Sequence, residues 1–152
     1  MRRGVLLGGS VAGIAGGVAY LAAMKADLAL TENDTDDLVM LGRLFTRDRR
    51  AARRLGVAMH AGNSVIAGIV YAGAARDLLP GPEWLRGTVF AIVENTALYP
   101  LALLEILHPA IREGRLARYW TWTSFLQGTG RHVAFGAVMG VVYGRLRVRQ
   151  PS

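Results

Sequence analysis

The sequence contains no cysteine, and only three histidines occur among its 152 residues. The lack of cysteine excludes a disulfide framework and any metal site built from thiolates. No phosphate-binding glycine-rich loop is recognisable, because the glycines lie within apolar segments. A nucleophilic Ser–His–Asp arrangement is not recognisable either. The sequence therefore has few of the patterns by which soluble enzymes are recognised, and an enzymatic role is not predicted.

Charge is missing from long stretches of the chain. Hydrophobic residues make up 52% of the sequence, and the mean hydropathy is +0.28 even though 18 residues are Lys or Arg. A bilayer core about 30 Å thick requires about 20 helical residues to cross it. Four segments match this length and predict spans at about residues 4–24, 55–75, 87–107 and 123–144. We therefore predict an all-α integral membrane four-helix bundle, a single transmembrane domain over residues 1–152.

Two of these spans need a further argument. The first resembles a signal peptide, but its 21 apolar residues are long for a signal core, so we expect a retained span. The fourth is uncharged only from His132 to Gly144. It reaches spanning length if the helix begins near Thr123 and includes Arg131.

The connections between the spans are unequal. Two long connections lie on one membrane side, and the short turn and both termini lie on the other. The first long connection predicts an interfacial helix at about residues 36–46. The long-loop side carries 11 of the 18 Lys and Arg residues. The positive-inside rule therefore favours the long loops as cytoplasmic, although the Arg2–Arg3 start favours the opposite orientation.

The net charge of +7 comes from arginines that flank the apolar segments. Arginines in such positions meet anionic lipid headgroups, so the predicted partner is the lipid bilayer and not nucleic acid. The excess of Arg over Lys, together with the Ala and Gly content, is typical of a GC-rich bacterial genome. We expect a multi-pass protein of the bacterial cytoplasmic (inner) membrane.

The second and fourth spans resemble one another. When the chain is shifted by 72 residues, five identities fall within 17 positions, pairing Gly56, His60, Gly68, Val70 and Tyr71 with Gly128, His132, Gly140, Val142 and Tyr143. Both spans run in the same direction across the membrane. This match predicts a parallel internal repeat of two helical hairpins.

Small residues recur every fourth position in several spans, a spacing that allows close helix packing in lipid. The glycines predicted to form these packing surfaces are Gly9, Gly13, Gly17, Gly68, Gly136 and Gly140. Such surfaces suit a homo-oligomer or an accessory subunit of a larger membrane complex.

All three histidines are predicted near one membrane face, with Glu105 among them. Glu105 and His108 form a Glu-x-x-His pair, which places both side chains on one helical face. With His60 and His132 they could hold a single iron or zinc ion. His60 and His132 could instead be the axial ligands of a haem. Hydrogen bonding to backbone carbonyls, Glu105 or lipid phosphates, and proton handling, are the other interpretations that the sequence leaves open.

Glu94 is the acidic residue predicted nearest to mid-membrane. A carboxylate at this depth is costly unless it has a partner, and such residues often bind and release protons in carriers. Asn63 and Arg131 are the predicted partners. These three residues form the candidate site of a small proton-coupled carrier, which is the alternative to a non-enzymatic membrane component.

One resemblance follows from these motifs. The pattern His-x-x-x-Ser or His-x-x-x-Gly, the Gly-x-x-Tyr ends of two spans, and Tyr99-Pro100 resemble those of uncharacterised four-span bacterial inner-membrane proteins. The resemblance covers about residues 24–144. It implies a four-helix inner-membrane protein and supplies no activity or binding residues.

Overall fold

The computed structural model describes residues 3–31, 35–116 and 118–148. Within these ranges all regular structure is helical and no strand occurs, which confirms the all-α class for them. The α-helices are α1 (Arg3–Leu30), α2 (Asp37–Gly42), α3 (Arg49–Val70), α4 (Glu83–Leu98), α5 (Pro109–Arg112) and α6 (Trp122–Val148). A π-helical turn (Tyr71–Ala75) and a 3-10 turn (Arg76–Leu78) extend α3, and a 3-10 helix (Tyr99–Leu107) extends α4.

Three helical segments of the described chain are long and apolar enough to cross a membrane. They are Arg3–Leu30, Arg49–Leu78 and Glu83–Leu107. Each contains one of the first three predicted spans and begins several residues earlier or ends several residues later. The α6 helix contains the fourth predicted segment and has 27 residues, but it is not among these three. Arg2, whose charge entered the orientation argument, lies outside the described residues.

The long helices pack in the spatial order α3, α1, α6 and α4. The α1 helix packs against α3 and α6, and α4 packs against the far side of α6. The turns that follow α3 contact α4, where the Tyr71 ring meets the Phe90 ring with 5.6 Å between centroids. The core along these contacts contains Tyr20, Met24, Tyr71, Phe135, Met139 and Tyr143, of which Tyr71 and Met139 are fully buried.

Glycines lie where the helices approach most closely. A Cβ atom at Gly13 of α1 would overlap the carbonyl oxygen of Ser64 on α3, and one at Gly68 would overlap the carbonyl oxygen of Gly9. A Cβ atom at Gly136 of α6 would likewise overlap the carbonyl oxygen of Gly87 on α4. The backbones of these helix pairs are therefore in direct contact, and the glycine surfaces are occupied within one chain.

The third apolar segment changes its helix type at Pro100. Proline has no backbone N–H and its ring clashes with the preceding turn, so an α-helix cannot continue unchanged through it. The α4 helix ends at Leu98, and the following nine residues, Tyr99–Leu107, form a 3-10 helix. The effect of Pro100 is thus a change to a narrower helix. Leu101, Leu103 and the other apolar side chains of this 3-10 helix are largely exposed.

The first long connection contains a shorter helix than predicted. Residues 36–46 were expected to be helical, and the observed α2 helix covers Asp37–Gly42. The Asp36 carboxylate caps it by accepting bonds from the backbone N–H groups of Leu38 and Val39. Leu38 and Val39 are buried, and Gly42 packs closely against Ala52 of α3. The α2 helix therefore packs onto α3. In the second long connection, α5 has only four residues.

Candidate functional site

A charged cluster lies between α1, α2 and α6, and Arg131 is its centre. The Arg131 side chain is 2% exposed, although α6 is otherwise a mostly apolar helix. Its guanidinium donates to the carboxylate of Asp27 on α1 and, at 2.7 Å, to Asp37 at the start of α2. It also donates to the carbonyl oxygen of Thr35 at 2.9 Å. A buried cation of this kind is tolerated only because carboxylates and hydrogen bonds surround it.

Two tyrosines complete the surroundings of Asp37. The hydroxyl groups of Tyr20 and Tyr119 both donate to its carboxylate, Tyr20 at 2.5 Å and Tyr119 at 3.2 Å. Burial, and then the neighbouring Asp37 carboxylate, raise the pKa of the Tyr119 phenol well above its usual value. Tyr119 therefore remains a hydrogen-bond donor throughout the physiological range. These bonds join α1, the second long connection and α2 at one point.

Gln127 forms a second link beside this cluster. Its side-chain amide donates to the Asp27 carboxylate at 2.9 Å, and its amide oxygen accepts a bond from the Thr35 hydroxyl at 2.9 Å. A surface cavity of about 350 Å³ lies alongside, lined by Ala23, Asp27, Leu126, Gln127, Gly130 and Arg131. The Asp27 side chain is 19% exposed, so it is the part of the Asp27–Arg131 pair most accessible from this cavity.

The three ionised groups of the cluster carry one more negative than positive charge. Asp27 and Asp37 supply the carboxylates, and Arg131 supplies the cation. The hydroxyl donors and the Gln127 amide distribute the remaining negative charge over several hydrogen bonds. The most direct chemical role of this arrangement is to fasten the first long connection to α1 and α6.

The two predicted haem-ligand histidines lie beside this cluster, and each already has a partner. Nε2 of His60 donates to the carbonyl oxygen of Gly17 at 3.2 Å, and Nδ1 of His132 donates to that of Gly128 at 2.7 Å. Both imidazoles also contact the Tyr20 ring, with centroid distances of 4.9 Å for His60 and 5.2 Å for His132. The hydrogen bonds match the interpretation in which the histidines bind backbone carbonyls.

Glu105 and His108 serve the second long connection. The Glu105 carboxylate is buried and accepts bonds from the Arg118 guanidinium at 2.9 Å and from the backbone N–H groups of Tyr119 and Trp120. His108 uses both ring nitrogens: Nε2 donates to the carbonyl oxygen of Met40 at 3.0 Å, and Nδ1 accepts from the backbone N–H of Ala110. With both nitrogens engaged, His108 has no lone pair for a metal.

The predicted single-metal site does not form in the structure. No group of three or more histidine or acidic side chains within residues 3–31, 35–116 and 118–148 is arranged to hold a metal ion. Glu105 and His108 bond to the loop and to α2, whereas His60 and His132 meet at Tyr20. The helical spacing of Glu105 and His108 indicated that they act together on one face. In the structure they bind different partners, Glu105 the second long connection and His108 the α2 helix.

The predicted pairing of Glu94 with Arg131 is also wrong. Arg131 binds Asp27 of α1 and Asp37 of α2 instead. The first long connection brings Asp37 to α6. Glu94 is half-buried on α4 and has no hydrogen bond or ion pair with any residue that the structure describes. Asn63 is exposed on α3 and likewise has no hydrogen-bond partner among those residues.

Sequence reasoning missed most of the Arg131 cluster. It paired Arg131 with Glu94 and not with Asp27 or Asp37. An arginine inside an apolar helix requires a carboxylate, and this requirement was the signal for both partners. Tyr20 and Tyr119 carried no signal, because a tyrosine in an apolar or interfacial segment is ordinary.

Comparison with known proteins identifies a family for this chain. No curated protein and no solved structure matches it. Residues 3–152 match a family of unknown function, DUF6789. The match covers nearly the whole sequence and brings no activity with it. The chain belongs to this family, DUF6789.

Proposed function

We propose that the protein is a non-enzymatic, four-span component of the bacterial inner membrane that assembles with further copies of itself. The fourth span in this proposal is α6. Its length of 27 residues and its packing along α1 and α4 support this assignment. Arg131 is one of the charged residues that lower the mean hydropathy of α6. Its charge is paired with Asp27 and Asp37 and is buried away from lipid.

The same fold supports the proposed repeat of two hairpins. In one hairpin α1 packs on α3 through Gly13 and Gly68. In the other α4 packs on α6 through Gly87 and Gly140, and Gly140 lies 72 residues after Gly68. Equivalent glycines of the second and fourth spans therefore contact the first helix of their own hairpin, α1 for Gly68 and α4 for Gly140. This is expected if both hairpins arose from one ancestral hairpin.

Assembly through the glycine surfaces is not part of this proposal, because those surfaces are filled within the chain. The observation that carries the proposal is the pair Asn63 and Glu94. Each lies close to the midpoint of its apolar segment, Arg49–Leu78 for Asn63 and Glu83–Leu107 for Glu94. The two polar side chains therefore share one membrane depth, and neither has a hydrogen-bond or ion-pair partner among the residues that the structure describes.

A second copy supplies what each side chain lacks. An unpaired amide or carboxyl group in hydrocarbon is costly, and a hydrogen bond between helices relieves this cost. The Asn63 amide can donate to a Glu94 carboxylate, or accept a bond from a protonated Glu94 carboxyl group. Contact between α3 of one copy and α4 of the next would satisfy both groups. No atom lies within 4 Å of a Cβ placed at Gly62, next to Asn63, so a helix of another copy can approach α3 closely there.

Disulfide trapping in membranes tests this contact, since the natural chain has no cysteine. We would mix chains carrying Met59→Cys with tagged chains carrying Ala97→Cys. Each position is one turn from Asn63 or Glu94, toward the same membrane side, because α3 and α4 run in opposite directions. A cross-linked pair is expected on mild oxidation. Val18→Cys, at an exposed position of α1, replaces Met59→Cys in the control mixture and should give no cross-link.

Substitutions at the polar pair then separate assembly from other effects. Glu94→Leu and Asn63→Leu should abolish the cross-link, whereas Glu94→Gln, which keeps the hydrogen bond, should preserve it. A cross-link that is absent in the parent mixture, or unaffected by Glu94→Leu, overturns the proposed contact.

Proton binding by Glu94 is the second candidate function. It rests on the absence of any cation beside this half-buried side chain among the described residues. Here Glu94→Gln is decisive, because it removes proton binding while leaving assembly intact. Proton flux into liposomes, followed with an internal pH dye, should occur with the parent chain and disappear with Glu94→Gln. Equal flux in both would exclude this function.

A further inference from the structure

A groove of about 780 Å³ lies between α4 and α6, at the end where the short turn joins the helices. It is lined by Arg76, Glu83, Trp84, Val141, Gly144, Arg145 and Arg147. None of its lining residues belongs to the Arg131 cluster or to the Asn63–Glu94 contact. Its lining combines three guanidinium groups with an apolar wall, a combination that packing alone does not require.

The positive charge of this groove is only partly neutralised. Arg76 is committed to the Glu83 and Asp77 carboxylates. Arg147 is half-exposed and, among the described residues, pairs only with Asp77, at 3.4 Å. Arg145 is exposed and has no ion pair or hydrogen bond with any residue that the structure describes. Two guanidinium groups therefore remain available to an anion.

The carboxylate in the lining does not cancel this effect. Glu83 is already held by Arg76 and accepts a bond from the Tyr71 hydroxyl at 3.3 Å. Its negative charge is thus compensated inside the protein. Any side chain at Gly144 would meet the Glu83 side chain, at 2.6 Å from its Cγ, so glycine at this position allows Glu83 to pack against α6.

The apolar wall lies at the depth of the lipid headgroups. The Trp84 ring is 51% exposed at the first turn of α4, and tryptophan favours the membrane interface. Val141 lies one turn deeper than Arg145 on α6. A ligand in this groove would therefore place an anionic group among the arginines and an apolar chain along Trp84 and Val141.

We propose that this groove binds an anionic diacyl phospholipid. Arg145 and Arg147 bind the phosphodiester, and Trp84 and Val141 contact the glycerol backbone and the first methylene groups. Guanidinium groups suit phosphate oxygens because their N–H donors are arranged in a fixed plane. The proposal does not depend on the oligomer or on proton binding.

Tryptophan fluorescence gives a local test. The chain has three tryptophans, so Trp120→Phe and Trp122→Phe leave Trp84 as the single reporter. We would reconstitute this chain in phosphatidylcholine vesicles containing brominated phosphatidylglycerol or, separately, brominated phosphatidylcholine. Bromine quenches tryptophan on contact. Trp84 should be quenched at an at least fivefold lower content of the phosphatidylglycerol, since each arginine near a lipid surface contributes about fivefold.

Paired charge variants show whether the preference is local. Arg145→Gln with Arg147→Gln should remove it, and both side chains are exposed, so folding should be unaffected. The control is Arg2→Gln with Arg3→Gln, which removes the same charge at the N-terminus, on the same membrane side as the groove. An equal loss in both variants would show only general attraction and would overturn the site, as would the lack of any preference.

A free phosphate is the competing ligand. Glycerol 3-phosphate at millimolar concentration should leave the quenching of Trp84 unchanged, because it lacks the acyl chains that contact the apolar wall. Reversal of the quenching by this soluble ester would assign the groove to free phosphate compounds and overturn the lipid proposal.

Discussion

Arg131 and Asp27 are 104 residues apart in the chain, and their side chains form a buried ion pair between α6 and α1. The pair has a structural consequence that neither helix has alone. Removing one member of a buried pair leaves the other charge uncompensated, and this costs far more than the pair itself contributes. The cluster around Arg131 is therefore the part of the fold most sensitive to loss of a single charge.

Arg131→Leu should lower the free energy of unfolding by about 3–5 kcal/mol, because Asp27 and Asp37 would remain buried without a cation. Thermal unfolding in mild detergent, followed by circular dichroism, measures the change. The control is Arg145→Leu, at an exposed position of the same helix, which should shift the midpoint little. Equal midpoints for Arg131→Leu and the parent chain would show that the cluster does not stabilise the fold.

Gly13→Ala should destabilise the contact between α1 and α3, because the added methyl group overlaps the carbonyl oxygen of Ser64. Overpacking of this kind costs about 1–3 kcal/mol. Gly130→Ala on α6 is the matched control, since nothing lies within 4 Å of its added Cβ. That variant should be neutral or gain up to about 1 kcal/mol from helix propensity. The prediction fails if the two variants unfold alike.

Tyr119→Phe should reduce stability at neutral pH by about 1.5–3 kcal/mol, the usual contribution of a hydrogen bond to a charged group. The raised pKa of Tyr119 adds a dependence on pH. The unfolded chain ionises this phenol above about pH 10, whereas the folded chain keeps it neutral. Its stabilising effect is thus complete below that pH and is lost as the pH rises further. The free energy of unfolding, measured between pH 8 and 11, should decline less steeply with pH in Tyr119→Phe than in the parent chain.

His60→Leu should cost about 1 kcal/mol through the lost bond to Gly17. It should leave the iron and zinc content of the purified protein unchanged, because His60 bonds to the backbone and belongs to no three-ligand group among the described residues. Elemental analysis of parent and variant checks the second point. Near-stoichiometric metal in the parent, lost in His60→Leu, would reinstate the metal site.

The apolar segments could be predicted because hydrophobicity is a local property of the sequence. Gly4–Met24 and Gly87–Leu107 each lie inside an observed long helical segment. The inclusion of Arg131 in the last helix was also predictable, because the segment was otherwise too short. The change to a 3-10 helix at Tyr99 was not, since proline indicates only that an α-helix is disturbed there.

The candidate site was harder to predict, because it depends on how a connection folds back. Asp37 reaches Arg131 only because α2 packs onto α3 through Gly42 and brings its first turn toward α6. No periodicity in the sequence records that contact. Helical spacing also suggested that Glu105 and His108 act together, but their partners come from opposite directions, Arg118 for one and Met40 for the other.

In the proposed four-span topology, the buried Arg131 also affects how α6 inserts into the membrane. An isolated α6 would enter a membrane poorly, because a lone arginine near the bilayer interior is unfavourable and the helix is not apolar enough to compensate. Asp27 and Asp37 leave the ribosome about 100 residues earlier, so both are in place when α6 emerges. If α6 is the fourth span, as we propose, its insertion depends on α1, and a chain that lacks α1 should leave α6 outside the bilayer.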